Sequence, residues 1–185
     1  GRLYESYPHH NVVFVGKDND GQPRYACLRG IGTDFKGEAT GSDKRFSFSI
    51  PAEEPSTVLY LFESAIDLLS FATMEQEDKL PWRAQHLLSL AGVYQPKKNL
   101  TERPLPLALS QYLRDHREIQ TIYLCLDNDL AGRSAADTIR QQLAGRYVVR
   151  DGFPCQGKDY NDWLCLRKGL PITRTVSKPE RSMAR

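Results

Sequence analysis

Apolar and polar positions divide the chain into two unlike stretches. From Asn11 to Ile50 short apolar runs alternate with turn residues: Val12-Val13-Phe14-Val15, then Asp18-Asn19-Asp20-Gly21, then Arg24-Tyr25-Ala26-Cys27-Leu28. β-branched and aromatic runs on either side of a Gly-containing turn predict a β-hairpin. After the glycine-rich stretch of Gly30, Gly32, Gly37 and Gly41, the alternation from Arg45 to Ile50 predicts a third strand, and Pro51 and Pro55 mark a linker. Beyond Pro55 the period changes. Val58 to Phe62 is a continuous apolar run of strand length, followed by a helical pattern from Ala65 to Met74. The step recurs with His86 to Leu90, Thr121 to Leu126 and Tyr147 to Val149 as strands, and with Leu105 to Arg114 and Ala131 to Leu143 as helices. Strands alternating with amphipathic helices predict an α/β fold with a mainly parallel sheet, whose ligands sit beyond the carboxyl ends of the strands.

The expected organisation is therefore a small β-rich subdomain over 1–55, an α/β domain over 56–170 and a flexible basic tail over 171–185. With 185 residues, the chain is long enough for one well-buried core with a small subdomain attached. Hydrophobic residues at 40% and charged residues at 26% exclude a disordered chain, and no apolar run approaches membrane-spanning length. The opening Gly1-Arg2-Leu3-Tyr4 has neither an initiator Met nor a signal-peptide core, so it reads as part of something longer, cytoplasmic by default. Cys27, Cys125, Cys155 and Cys165 form no C-x-x-C pair and are expected to be buried free thiols. A net charge of +2 permits a polyanionic partner without demanding one.

Chemistry enters at the strand ends. Leu61-Phe62 runs into Glu63, and Leu124-Cys125-Leu126 runs into Asp127-Asn128-Asp129. Residues two apart on an extended chain point the same way, with Cα atoms roughly 6.5 Å apart, so Asp127 and Asp129 can share a hard cation while Glu63 faces them from a neighbouring strand. Gathered carboxylates repel one another, and a divalent cation relieves the repulsion; Mg²⁺, with its preference for oxygen and for retained waters, is the natural choice. The bland alternative is a polar turn in which Asp129 only caps the next helix and Glu63 only complements a helix dipole.

The combination resembles the toprim family of primases and topoisomerases. Glu63-Ser64-Ala65-Ile66-Asp67 and Leu126-Asp127-Asn128-Asp129-Leu130-Ala131-Gly132-Arg133 are similar to its two signatures, in the family's order. Gly157-Lys158-Asp159-Tyr160-Asn161-Asp162 resembles the segment that closes the domain in primases and in toprim proteins of mobile elements. The resemblance implies a toprim fold and a metal-dependent reaction on DNA or RNA, single-stranded by preference, with Mg²⁺ or Mn²⁺. Primer synthesis from nucleotides leads; a nuclease and a non-catalytic accessory module of a mobilisation protein are the alternatives. It implies that Glu63 does acid–base work, that Asp127 and Asp129 bind metal, and that Asp67 and Asp159 support them. Asn161 stands where primases often carry Asp, and Ser64 where Gly commonly follows the Glu.

The N-terminal stretch also resembles the bacterial primase core, with Arg29 and Lys44 in the places of phosphate-contacting cations. Arg133 and Lys158 are further candidates for phosphate, and Lys97-Lys98 a weaker one. Other motifs fall away. Gly30-Ile31-Gly32 has Phe35 where a dinucleotide fingerprint needs its third Gly, and a calcium loop from Asp127 fails at Ala131 and Thr138. The Asp-x-Asp of haloacid-dehalogenase phosphatases ends a first strand, whereas here only about a quarter of the chain follows it. His9, His10, His86 and His116 show no ligand spacing and are expected to be structural.

Overall fold

The computed structural model describes residues 1–92 and 104–172; Lys97-Lys98 and nearly all of the basic tail lie outside the described residues. Turn chemistry folds the first forty residues into an antiparallel meander, with β1 (Leu3–Glu5), β2 (Val12–Lys17), β3 (Pro23–Arg29) and β4 (Lys36–Glu38) in that order. The Asp18 carboxylate closes the β2–β3 turn by accepting the N–H groups of Asp20 at 3.1 Å and Gln22 at 2.9 Å. Phe14, Tyr25 and Cys27 are buried, while their neighbours on the strands are half-buried or exposed, as a one-faced sheet requires.

The expected third strand forms only at its end. The Asp43 carboxylate accepts the Arg45 N–H at 3.0 Å and pairs with its guanidinium at 2.6 Å, winding Lys44–Phe46 into a 3₁₀ turn. Only Ser49–Ile50 is extended; this β5 joins the second sheet, antiparallel to its neighbour, with Ser49 opposite Leu88.

That second sheet runs β5-β7-β6-β8-β9, with β6 (Val58–Phe62), β7 (His86–Ser89), β8 (Thr121–Cys125) and β9 (Val148–Asp151) parallel. It is the mainly parallel α/β sheet that the apolar runs predict. On one face α2 (Leu107–Asp115) and α3 (Leu130–Leu143) close a cluster around Leu59, Leu61, Ile122 and Leu124. On the other, α1 (Ala65–Glu77) and the Tyr160 ring of α4 (Tyr160–Arg167) pack with Phe62, Leu87 and Cys125, and the meander adds Phe14, Tyr25 and Cys27. Each fully buried leucine of this kind contributes about 1.5–3 kcal/mol. Of the cysteines, only Cys27 and Cys125 are buried; Cys155 is exposed and Cys165 half-buried, because Tyr160 is the only buried residue of α4. All four are free thiols.

The parallel strands begin at β6, step to β7 on one side and return to β8 on the other. The strand order thus reverses between β6 and β8, and a crevice opens at such a switch point beyond the carboxyl ends of the strands. Glu63 and Asp127 leave these two strands.

Candidate acidic active site

Three helices begin at this crevice, each capped by a residue of the signatures. Ser64 accepts the Asp67 N–H at 3.2 Å to start α1, Asp129 accepts the Gly132 N–H at 2.9 Å to start α3, and Asp159 accepts the Asp162 N–H at 2.7 Å to start α4. The capping role of Asp129 is therefore real, and the same side chain also pairs with Lys158. Helix amino ends carry partial positive charge, so three of them favour the gathering of acids here.

Glu63 Oε1 accepts the Asp127 N–H at 3.2 Å across the switch point. Gly132 makes this approach feasible: a Cβ there would lie 2.1 Å from the Asp127 carbonyl oxygen and 2.8 Å from Glu63 Oε1. Ser64, which departs from the family pattern, has a structural use, since its hydroxyl donates to Asp67 Oδ2 at 2.5 Å as well as capping α1. The other oxygen of Asp67 accepts the Asn161 N–H at 3.3 Å, tying the first signature to the third. The second and third are tied where Asn128 N–H donates to the Lys158 carbonyl at 2.6 Å. Tyr160 anchors this arrangement, its ring edge-on to Phe62 and Phe71 and its hydroxyl donating to the Gly152 carbonyl at 2.7 Å.

The electrostatics are those of crowded, half-dry acids. Burial, then the Asp127 charge, pushes Glu63 up to about 8. Burial raises Asp67 to about 6 despite the Ser64 hydrogen bond. Asp127 and Asp159 are also raised, by burial first. Burial pushes Asp129 up as well, but the Gly132 N–H and Lys158 outweigh it and leave the carboxyl below its ordinary range. Lys158 Nζ lies 2.7 Å from Asp127 Oδ2 and 3.2 Å from Asp129 Oδ2, and the Asp127 hydrogen bond raises its pKa. An ammonium bridging both carboxylates is a stand-in for a cation. The donor set of Asp127, Asp129, Glu63 and Asp159 is oxygen-only, the chemistry a hard divalent ion prefers, but among the described residues no three of these acids bring their oxygens within 4.8 Å of one another, so an ion would have to draw them together.

The acids line a cleft of about 990 Å³ whose opposite wall is the β3–β4 connection, with Arg29, Phe35 and Lys36. Arg29, Glu63, Asp67, Asp127, Lys158, Asp159 and Asn161 are thus brought together. Three candidates are not among the lining residues: Asp129, whose carboxylate accepts the Gly132 N–H and pairs with Lys158, and Lys44 and Arg133. Lys44 pairs with Glu38 at 2.9 Å, and Arg133 lies over the Phe153 ring at 4.8 Å while its guanidinium donates to Asn128. Sequence reasoning missed Phe35 and Lys36; their only signal was an aromatic and a cation inside the glycine-rich stretch.

The Toprim-like family matches residues 60–164, and residues 1–54 match a second family, described as a protein of unknown function (DUF3991). A 65 kDa protein of Zymomonas mobilis is 28% identical over 174 residues, covering 88% of this chain and 28% of that protein. The primase fragment of the bacteriophage T7 primase-helicase protein superposes with a TM-score of 0.58 at 20% identity, over 90% of this chain and 62% of that one. The E. coli primase catalytic core follows at 0.54 and 17%, over 91% and 53%. The DnaG primase catalytic domain bound to ssDNA gives 0.52 and 15%, over 91% and 54%. At such identities the likeness is one of fold, and the chain spans less than two thirds of each of these relatives. With more than half of its length matched and the acids of both signatures assembled at the switch point, the chain belongs to the Toprim-like family.

Proposed function

We propose that this chain is the magnesium-dependent catalytic region of a primase-like nucleotidyltransferase that acts on single-stranded nucleic acid within a replication or mobilisation protein of a mobile element. The observation that carries the reading is the cleft itself, with Glu63, Asp127 and Asp159 among its acids, Asp129 reached through Lys158, and Arg29 and Lys36 facing them. The primase cores of the same fold, one of them bound to ssDNA, support it.

Asp127 and Asp129 would hold the metal, with Glu63 and Asp159 at its margin. When bound, Mg²⁺ supplies charge neutralisation for phosphate oxygens and lowers the pKa of an attacking hydroxyl. The protein's own groups do the rest. Arg29 and Lys36 hold a polyanionic backbone against the acidic wall, where phosphate contacts fix register without reading bases. Glu63, raised to about 8, exchanges a proton near neutrality and can take one from a hydroxyl or return it to a leaving group. Lys158, released from Asp127 and Asp129, is placed to meet a phosphate oxygen.

The test is incubation with single-stranded DNA, labelled nucleotides and Mg²⁺ or Mn²⁺, comparing the chain with Asp127→Ala. Short labelled products that vanish in the variant are the expected result. Metal-dependent shortening of the DNA would replace this reading with a nuclease, and unchanged DNA that is still bound would replace it with an accessory role.

A further inference from the structure

At the opposite edge of the parallel sheet three residues far apart in sequence converge. His86 opens β7 level with Leu59, four residues before Glu63 on the adjacent strand, which places it roughly 13 Å from the acidic end of the sheet. His116 follows the last turn of α2, its N–H donating to the Tyr112 carbonyl at 2.9 Å, and Glu118 lies in the short turn that leads to β8. One donor atom from each lies within 4.8 Å of the others. His86 Nε2 is 3.6 Å and His116 Nδ1 3.2 Å from the same oxygen, Glu118 Oε1.

His86 is 4% exposed, yet its Nε2 is buried without a hydrogen-bond partner. A buried ring nitrogen left unmatched costs free energy, and native interiors rarely keep one without a ligand, an ion or a function. Its other nitrogen is served: Nδ1 lies 3.0 Å from the Tyr112 hydroxyl. The tautomer with its proton on Nδ1 donates to Tyr112, gives up the long 3.4 Å approach of the Ala52 N–H, and frees the Nε2 lone pair. That is the arrangement by which an outer partner orients a ligating imidazole.

We propose that His86, His116 and Glu118 form a binding site for one divalent transition-metal ion of the zinc class, remote from the acidic cleft. Two imidazoles and a carboxylate are a ligand set that Zn²⁺ accepts, with water as a fourth ligand. Bonds of about 2.0–2.2 Å at the tetrahedral angle separate donors by about 3.4 Å, close to the two spacings to Glu118; only the third edge has to contract. Solvent reaches the site at Glu118, whose side chain is 47% exposed. Burial and the neighbouring His116 lower the His86 pKa, so the ring is neutral as a ligand must be. Bound metal would fasten the α2–β8 turn to the start of β7, a structural clamp rather than a participant in the reaction.

The test uses the full chain freed of metal with a chelator and titrated with Zn²⁺ in excess Mg²⁺, by calorimetry, with Co²⁺ as the spectroscopic probe. One Zn²⁺ per chain, a tetrahedral Co²⁺ spectrum and a rise in melting temperature are expected. His116→Ala and Glu118→Ala, both at the accessible rim, should each weaken binding about tenfold or more without unfolding the apo chain. Asp127→Asn should leave it unchanged. Absence of stoichiometric Zn²⁺, binding that survives the His116→Ala, Glu118→Ala double variant, or binding lost with Asp127→Asn would overturn the assignment.

Discussion

Every residue of β7 is buried, and Leu59, Leu61, Ile122 and Leu124 of β6 and β8 have no exposed surface, whereas the strands of the antiparallel meander bury only Phe14, Gly16, Tyr25 and Cys27. The parallel sheet has helices on both faces and one core cluster to which the meander contributes nothing. The meander closes its single apolar face only by joining the cluster of α1, Phe62 and Tyr160. The acids thus stand on the element with the most burial, and Arg29 and Lys36 on the one with the least. Catalytic groups need sub-ångström placement, while a grip on a flexible polymer tolerates local opening, which is drawn from sparsely packed regions.

The comparison can be broken in four ways. The largest effect is expected from Phe62→Ala, which removes a ring of 0% exposure packed against Phe71 and Tyr160 at the shared cluster. It should cost about 3–5 kcal/mol in a urea titration and weaken both sheets together. Gly16→Ala acts at the junction alone, since its Cβ would fall 1.7 Å from the Phe46 carbonyl oxygen. A loss of about 1–3 kcal/mol or more is expected, with amide exchange accelerated in β2 and β3 while β6 and β8 stay protected. Equal loss of protection in both sheets would show that the meander is not the subordinate part.

The third is pH. Glu63 and Asp67, raised to about 8 and about 6, hold protons in the folded chain that the unfolded chain has already released. Native binding of more protons gives stability a negative slope with pH, so the metal-free chain should weaken as pH rises from about 5 to about 8 and level off above. The unfolding midpoint in chelator measures this; a midpoint flat or climbing over that range would refute it, and Mg²⁺ should reduce the slope. The smallest effect on stability, within about 0.5 kcal/mol, is expected from Arg29→Ala with Lys36→Ala. The same pair should weaken single-stranded DNA binding and lower its logarithmic salt slope by about 0.7 for each phosphate no longer neutralised.

How far these features were legible follows from the same contrast. β6 and β8 are unbroken apolar runs ending in acid, and the register that sets Phe62 beside Cys125 makes Glu63 and Asp127 neighbours as the runs imply. β1 and β4 were not legible, because three exposed or half-exposed residues carry no period. Ser49–Ile50 was read with the meander because alternation does not say which sheet a strand will join. α4 was missed because it starts inside the third signature and buries only Tyr160. His86 and His116 gave no local spacing at all, since their meeting depends on α2 returning the chain to the base of β7.

The lysine between Asp127 and Asp129 sets the order in which this site can change state. A tethered competitor has a fixed local concentration that dilution cannot reduce, so chelation leaves these two acids sharing one ammonium rather than bare. On the proposed metal-dependent reading, a divalent ion would have to displace it, which would lower the ion's apparent affinity in the free protein. A phosphate offers the released ammonium a new partner and recovers that loss. Ion and polyanion should therefore each tighten the other by the same factor, as thermodynamic linkage requires.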